Sequence, residues 1–310
     1  MLHISDTVVD SLLTSQAAQE ALLGAFASYA HGDAAMQKRI RTQAEGVKLS
    51  TLGAVIPDQD IVGAKVYTTV NGQFSFVILL FSASDGRPLA TLDAGAVTRI
   101  RTAACTVLVA KRLARSSSKS LGLFGAGVQG IEHAVQLAEQ FDLQEILVSD
   151  RHTSPDLAKR LHLATGVNVR FAGAEYIAAC SDIIVTASRS GHPLFEGRHL
   201  QAGAFVAAIG SSLPHTRELD NETLARSKAV VVEWREQTLE EAGDILLADP
   251  AALPPAKIVE LVDVVVTQKV GRESERDIFV YKSVGIGLED IAVAGLAYRL
   301  LVRKQGLAVA

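Results

Sequence analysis

The run Leu121-Gly-Leu-Phe-Gly-Ala-Gly-Val-Gln-Gly130 constrains this chain more than any other feature, because an apolar strand leads into Gly125-x-Gly127-x-x-Gly130 and then directly into a helical pattern. In such a turn the first glycine permits the tight change of direction, the second lets a pyrophosphate approach the backbone, and the third lets the new helix pack closely on its strand. The helix N-terminus then meets the anion with unpaired N–H groups and a favourable dipole. Ile131, Ala134, Val135, Leu137 and Ala138 follow at helical spacing, and a second apolar strand, Ile146 to Val148, ends in Ser149-Asp150, twenty residues beyond Gly130. A carboxylate there suits a ribose diol. Together these features predict a dinucleotide-binding unit with Gly125, Ala126, Gly127, Val128, Gln129 and Asp150 as cofactor contacts.

The chain has 310 residues, more than one ordinary domain, and 48% hydrophobic with 21% charged residues suffices for two buried cores. The net charge of −4 is spread without like-charge blocks or basic stripes, which disfavours a nucleic-acid partner. The first residues, Met-Leu-His-Ile-Ser-Asp, lack a basic-then-apolar leader pattern, and no stretch approaches the roughly 18 apolar residues of a membrane span. A soluble cytoplasmic protein with no membrane partner is therefore expected. Cys105 and Cys180, 75 residues apart and outside any metal-ligand spacing, read as small hydrophobes rather than as a disulfide or a zinc site.

The polar, Ser-rich stretch Ala114 to Ser120 is the best boundary. Beyond it, strand-like and helix-like segments alternate: Val167 to Phe171, Tyr176 to Cys180, Asp182 to Ala187, Ala204 to Ile209, Glu218 to Ala225 and Ala229 to Val232. Such alternation means an α/β fold with a doubly wound parallel sheet. Before the boundary come a helix over Ser15 to Tyr29 and strand-like stretches Gly63 to Val70, Phe74 to Phe81 and Leu89 to Leu92, with Asp85-Gly86 as a hairpin turn. The last helical segment, Leu288 to Val302, is expected to return to the first domain. The division is thus residues 1–117, completed by 288–310, as an α+β domain, and residues 118–287 as the Rossmann domain.

Outside the glycine loop, three cations stand in apolar or small surroundings: Arg41, Lys65 and Arg101. Together they suit a carboxylate, Arg as a planar two-pronged donor and Lys as a point charge that can also donate a proton. No Gly-x-Ser-x-Gly elbow supports Ser-His-Asp catalysis. His133, on the glycine-loop helix, reads as a packing or hydrogen-bonding residue.

These residues resemble the ornithine cyclodeaminase and mu-crystallin family over nearly the whole chain. The resemblance is carried by Arg41-Thr42, Ile56-Pro57 with Gly63-x-Lys65, Gly86-Arg-Pro-Leu-Ala90, Thr98-x-x-Arg101-Thr102-Ala103-Ala104, Gly125 to Gln129 with His133, Arg217-Glu-Leu219, Gly243-Asp244, and Lys282-Ser-Val-Gly285 with Glu289-Asp290. It implies a homodimer in which the first domain binds substrate and pairs the subunits, and a Rossmann domain for NADH or NADPH. By the same analogy Arg41, Lys65 and Arg101 gather the substrate carboxylate, with Lys65 close to the reacting atoms. Thr102 and the glycine loop hold cofactor phosphates, and Thr186, Ala187 and Ser188 complete the expected cofactor contacts.

The informative departure is Ser212, where the cyclodeaminases carry an aspartate and the ketimine reductases of the mu-crystallin branch carry serine. A serine is no carboxylate base at neutral pH. The sequence therefore favours reduction of a ready-made cyclic ketimine carboxylate, Δ1-pyrroline-2-carboxylate or Δ1-piperideine-2-carboxylate, with Lys65 or a water held by Ser212 managing the proton. Two alternatives stay open: an amino-acid cyclodeaminase or dehydrogenase using Glu218 or Asp244 in place of the missing aspartate, and a non-catalytic protein that binds NADPH and a small ligand. Asp150 favours an unphosphorylated ribose, while Arg151, His152, Thr153 and Ser154 beside it suit a 2′-phosphate, so both cofactors fit.

Overall fold

A computed structural model describes residues 1–306. It divides into two units, Met1–Cys105 with the chain from Gly285 onward, and Thr106–Val284. The first division falls inside a continuous helix, α3 (Gly95–Leu113), rather than in the polar stretch 114–120, which lies beyond the end of that helix. A long apolar helix has no weak point at which a boundary shows as a change of composition. Residues 307–310 of the expected carboxy-terminal completion lie outside the described residues.

The first unit opens with β1 (Leu2–Ile4), α1 (Asp6–Leu12) and α2 (Ser15–His31). The Thr14 hydroxyl caps α2 by accepting from the Ala17 N–H, and Gly32 ends it in the left-handed region. Then come β2 (Ala35–Met36), β3 (Ile40–Ala44), β4 (Val47–Ile56), β5 (Ile61–Val70), β6 (Gln73–Phe81) and β7 (Pro88–Asp93). They form a mixed sheet in the order β1-β7-β6-β5-β4-β2, with β3 also pairing β4. Asp85-Gly86 does form the β6–β7 turn, closed by Ser82 and Arg87. Period-two alternation gives this sheet two distinct faces. Leu52, Lys65, Ile78 and Leu80 are buried on one, where the last helix of the chain packs. Ile40, Leu49, Val55, Val77 and Phe81 are exposed on the other.

The second unit carries β8 (Ser120–Phe124), α4 (Val128–Gln140), β9 (Glu145–Ser149), α5 (Pro155–Thr165), β10 (Asn168–Phe171), α6 (Ala174–Cys180), β11 (Ile183–Thr186) and β12 (Phe205–Ala208). It continues through α7 (Asn221–Arg226), β13 (Ala229–Val232), α8 (Arg235–Glu241), α9 (Gly243–Leu246), β14 (Ile258–Glu260), α10 (Leu261–Val265) and β15 (Phe279–Lys282). Its eight strands run parallel in the order β10-β9-β8-β11-β12-β15-β13-β14. β11, β12, β13 and β15 are buried along their whole length, as strands covered on both faces must be. The chain reverses direction across the sheet between β8 and β11, so the carboxyl ends of those strands frame the crevice where ligands bind in such folds. The final helix, α11 (Gly287–Lys304), belongs to the first unit. Among the described residues no helix is long and apolar enough to cross a membrane.

Candidate active site

The glycine loop occupies the β8 side of that crevice. Gly125 has φ +90°, and a Cβ on Gly130 would stand 2.0 Å from the Gly125 carbonyl oxygen, so only glycine closes this turn. A Cβ on Gly127 would meet nothing within 4 Å, and α4 begins there with no side-chain cap. An open backbone approach to an uncapped helix N-terminus fits a dinucleotide pyrophosphate. Val128 is 69% exposed beside it and Gln129 is half-buried. Asp150, half-buried just past β9, accepts from Ala126 N–H at 2.7 Å and from His152 N–H at 2.8 Å. Its carboxylate therefore shapes the glycine loop as well as standing where a ribose is expected. Arg151 is exposed, whereas the Ser154 hydroxyl is engaged as the cap of α5.

Ala187 and Ser188 leave β11 against the glycine loop, where a Cβ on Gly125 would meet the Ala187 oxygen at 2.7 Å. Thr186, expected as a cofactor contact, ends β11. It is fully buried and donates its hydroxyl to Glu218 at 2.8 Å. Thr102, in α3, is also buried, with its hydroxyl donated back to the Thr98 carbonyl at 2.6 Å. His133 is buried between Thr106 and the Gln129 carbonyl, as a hydrogen-bonding residue should be.

The cations of the first unit converge on an acid. Lys65 points from β5 toward α11, donating to Asp290 at 3.1 Å and to the Thr98 hydroxyl at 2.6 Å, with its ammonium 4.7 Å from the centre of the Phe76 ring. Arg101 reaches the same Asp290 oxygen through Nε at 3.0 Å and Glu289 through Nη1 at 2.6 Å. All four side chains are buried. Burial drives the Lys65 ammonium down, Asp290 partly restores it and Arg101 lowers it further, leaving a pKa of about 8. Burial pushes Asp290 up, but Arg101 and Lys65 prevail and hold its carboxyl below the usual range.

Arg41 occupies the neighbouring row, opposite Ser50 and Tyr67 on the same face of the sheet as Lys65. Arg39, two residues before it, donates to the Gly285 carbonyl at 2.7 Å, and its charge acts on both Lys65 and Asp290. Arg39, Glu289 and Asp290 thus join the site although the reading of single cations passed over them. Two acids in the otherwise apolar first turns of the last helix were the available signal. Arg39, Lys65 and Arg101 set three positive charges against the two acids. Ser212 lies half-buried in the loop after β12. Glu218 accepts from four donors, and Asp244 is paired with Lys282 at 3.0 Å.

Known proteins share this architecture. The chain is 60% identical to a probable ornithine cyclodeaminase from Bordetella pertussis Tohama I, with a TM-score of 0.98 and full coverage of both chains. It is 28% identical, with a TM-score of 0.93 and full coverage of both chains, to the Δ1-pyrroline-2-carboxylate reductase of Thermococcus litoralis, solved with NADH and L-proline. It is also 33% identical over 273 residues to a Δ1-pyrroline-2-carboxylate reductase of Bacillus cereus, covering 84% of this chain and 79% of that protein. The sequence pattern of one family matches residues 1–305, and the chain therefore belongs to the ornithine cyclodeaminase/mu-crystallin family.

Proposed function

We propose that this protein is an NAD(P)H-dependent oxidoreductase that reduces cyclic ketimine carboxylates, Δ1-pyrroline-2-carboxylate or Δ1-piperideine-2-carboxylate, to L-proline or L-pipecolate. The observation that carries this reading is the buried Lys65, held by Asp290 beside Arg101 with a pKa of about 8. Reduction of C=N needs an oriented carboxylate, a proton kept on nitrogen and a hydride. The reduced nicotinamide, NADH or NADPH, supplies the hydride when bound. Arg101, fixed by two acids, and Arg41 orient the carboxylate. Lys65 holds an exchangeable proton at a pKa matched to neutral solution, the condition for efficient acid catalysis. Ser212 offers a neutral hydrogen bond where cyclodeamination calls for a carboxylate, and Glu218 and Asp244 are committed elsewhere. This supports reduction over the activity named for the Bordetella protein.

The test is loss of reduced-nicotinamide absorbance with each ketimine. A kcat/KM on the order of 10⁴ M⁻¹s⁻¹ or more for at least one ring is expected, and inactivity on both rings with both cofactors would overturn the proposal. Its two free cysteines fit the reducing cytoplasm in which we place it.

We also propose that the protein works as a homodimer, closed through the outer face of the first unit's sheet. Ile40, Leu49, Val55, Val77 and Phe81 are each more than a third exposed there, and Val62, Ala64 and Phe81 help line a groove of about 290 Å³. An apolar face of this extent is the mark of an association surface. Phe81→Asp with Val77→Asp is expected to shift sedimentation from twice the 32.9 kDa chain mass to that mass. An unchanged dimer would place the contact elsewhere.

A further inference from the structure

The geometry points to Glu218 as the residue that positions the nicotinamide half of the cofactor site, by locking together the loops that leave β11 and β12. Its side chain is fully buried and both oxygens are occupied. Oε1 accepts from the Ser188 N–H at 2.9 Å and the Ser188 hydroxyl at 2.6 Å; Oε2 accepts from the Gly210 N–H at 2.8 Å and the Thr186 hydroxyl at 2.8 Å. One carboxylate thus ties the end of β11 to the end of β12. The packing is as close as glycine allows, since a Cβ on Gly210 would stand 2.2 Å from the Ser188 oxygen and 2.5 Å from Glu218 Oε1.

Glu218 is itself held from below. Its N–H and that of Leu219 donate to Asp244 at 2.7 and 2.9 Å, Asp244 pairs with Lys282 at 3.0 Å, and Lys282 donates to the Ala208 carbonyl at 3.1 Å, back at the end of β12. The network therefore closes on the strand whose loop it braces. These side chains, buried at the carboxyl edge of the sheet, form a fixed floor rather than a solvated surface.

The location assigns the function. A dinucleotide lies across the crevice of a doubly wound sheet, with the pyrophosphate on the glycine loop and the adenosine ribose toward the acid after the second strand. With Gly125 to Gly130 on β8 and Asp150 after β9, the nicotinamide falls toward the other half, at β11 and β12. There the loops carrying Ala187, Ser188 and Gly210 are set by Glu218. This inference rests on the dinucleotide reading and is independent of which imine is reduced.

Charge, and not only shape, is required. Each oxygen faces a backbone N–H that cannot turn away, so an amide placed either way sets its NH₂ against Ser188 N–H or Gly210 N–H. In Glu218→Gln the affinity for NADH is expected to fall about tenfold or more and kcat with it. Affinity for ADP-ribose, which lacks the nicotinamide, should stay within about twofold, both read by titration calorimetry. Thr186→Val removes a single donor in a nearly isosteric change and should shift the ratio of the two affinities the same way, by a smaller factor; it provides the reading if Glu218→Gln does not fold. Equal losses for both ligands, or no loss for either, in the folded variants would overturn the positioning role. Failure of the unaltered protein to bind either ligand would instead overturn the dinucleotide reading beneath it.

Discussion

Replacing Lys65 by methionine is expected to lower kcat/KM for cyclic ketimines by about 10²- to 10⁴-fold, the usual contribution of a positioned acid or base, while leaving the protein folded. Methionine keeps the apolar length of the side chain against Phe76, and Asp290 retains Arg101 as its counter-charge. The pH profile identifies the role. With a pKa of about 8, Lys65 is protonated below that value and loses its proton as pH rises through it. Activity that needs the ammonium should thus be level on the acid side of 8 and fall about tenfold per pH unit above it. The imine's own titration appears equally in the native enzyme and in Lys65→Met, so the basic limb present in one and absent in the other belongs to Lys65. An identical limb in both, or a loss smaller than about fivefold, would remove Lys65 from the chemistry.

Arg101→Ala is expected to act first on stability. The guanidinium is 6% exposed and neutralises two fully buried acids, Glu289 and Asp290, which would lose the ion-pair partner they share. Removing one partner of a buried ion pair typically costs about 3–5 kcal/mol, because the remaining charge is stranded without solvent. For a chain of this size that is a fall in Tm on the order of 10 °C. Because the cost arises from stranded acids, Arg101→Met combined with Glu289→Gln should recover part of it, a non-additivity expected only of groups in contact. A Tm within about 2 °C of the native value for Arg101→Ala would contradict the charge arrangement described above. The same substitution should raise KM for the ketimine even at temperatures where the variant is folded.

The parts of this site that were legible in the sequence are those whose chemistry is local. The glycine loop is a strand, a turn and a helix start within ten residues, in which Gly125 and Gly130 answer close backbone contacts and Gly127 leaves the backbone open. Lys65 and Arg101 stood out because charge in apolar surroundings needs a partner. The partner was not legible: Asp290 lies 225 residues from Lys65 and 189 from Arg101, and no spacing rule reaches that far. β15 was missed for a related reason. Ile278 to Tyr281 is plainly apolar, but insertion between β12 and β13 is a matter of strand order, which sequence adjacency does not encode. Glu218 shows the converse. Its carboxylate looked available as a base, whereas the fold saturates it with donors from two strand ends. The Ser-rich stretch 114–120 looked like a boundary because composition changes there, while the division into units follows packing along α3.

The most direct test sets the two chemistries of the family against each other in one preparation. NADH or NADPH with Δ1-pyrroline-2-carboxylate and Δ1-piperideine-2-carboxylate is followed by absorbance, and L-ornithine or L-lysine with NAD⁺ by ammonia release. Rapid oxidation of the reduced cofactor with at least one ketimine, and no ammonia above the enzyme-free control, is the predicted result. Ammonia with proline from ornithine, at a rate matching or exceeding ketimine reduction, would contradict it and show that Ser212 suffices where a carboxylate was held to be required.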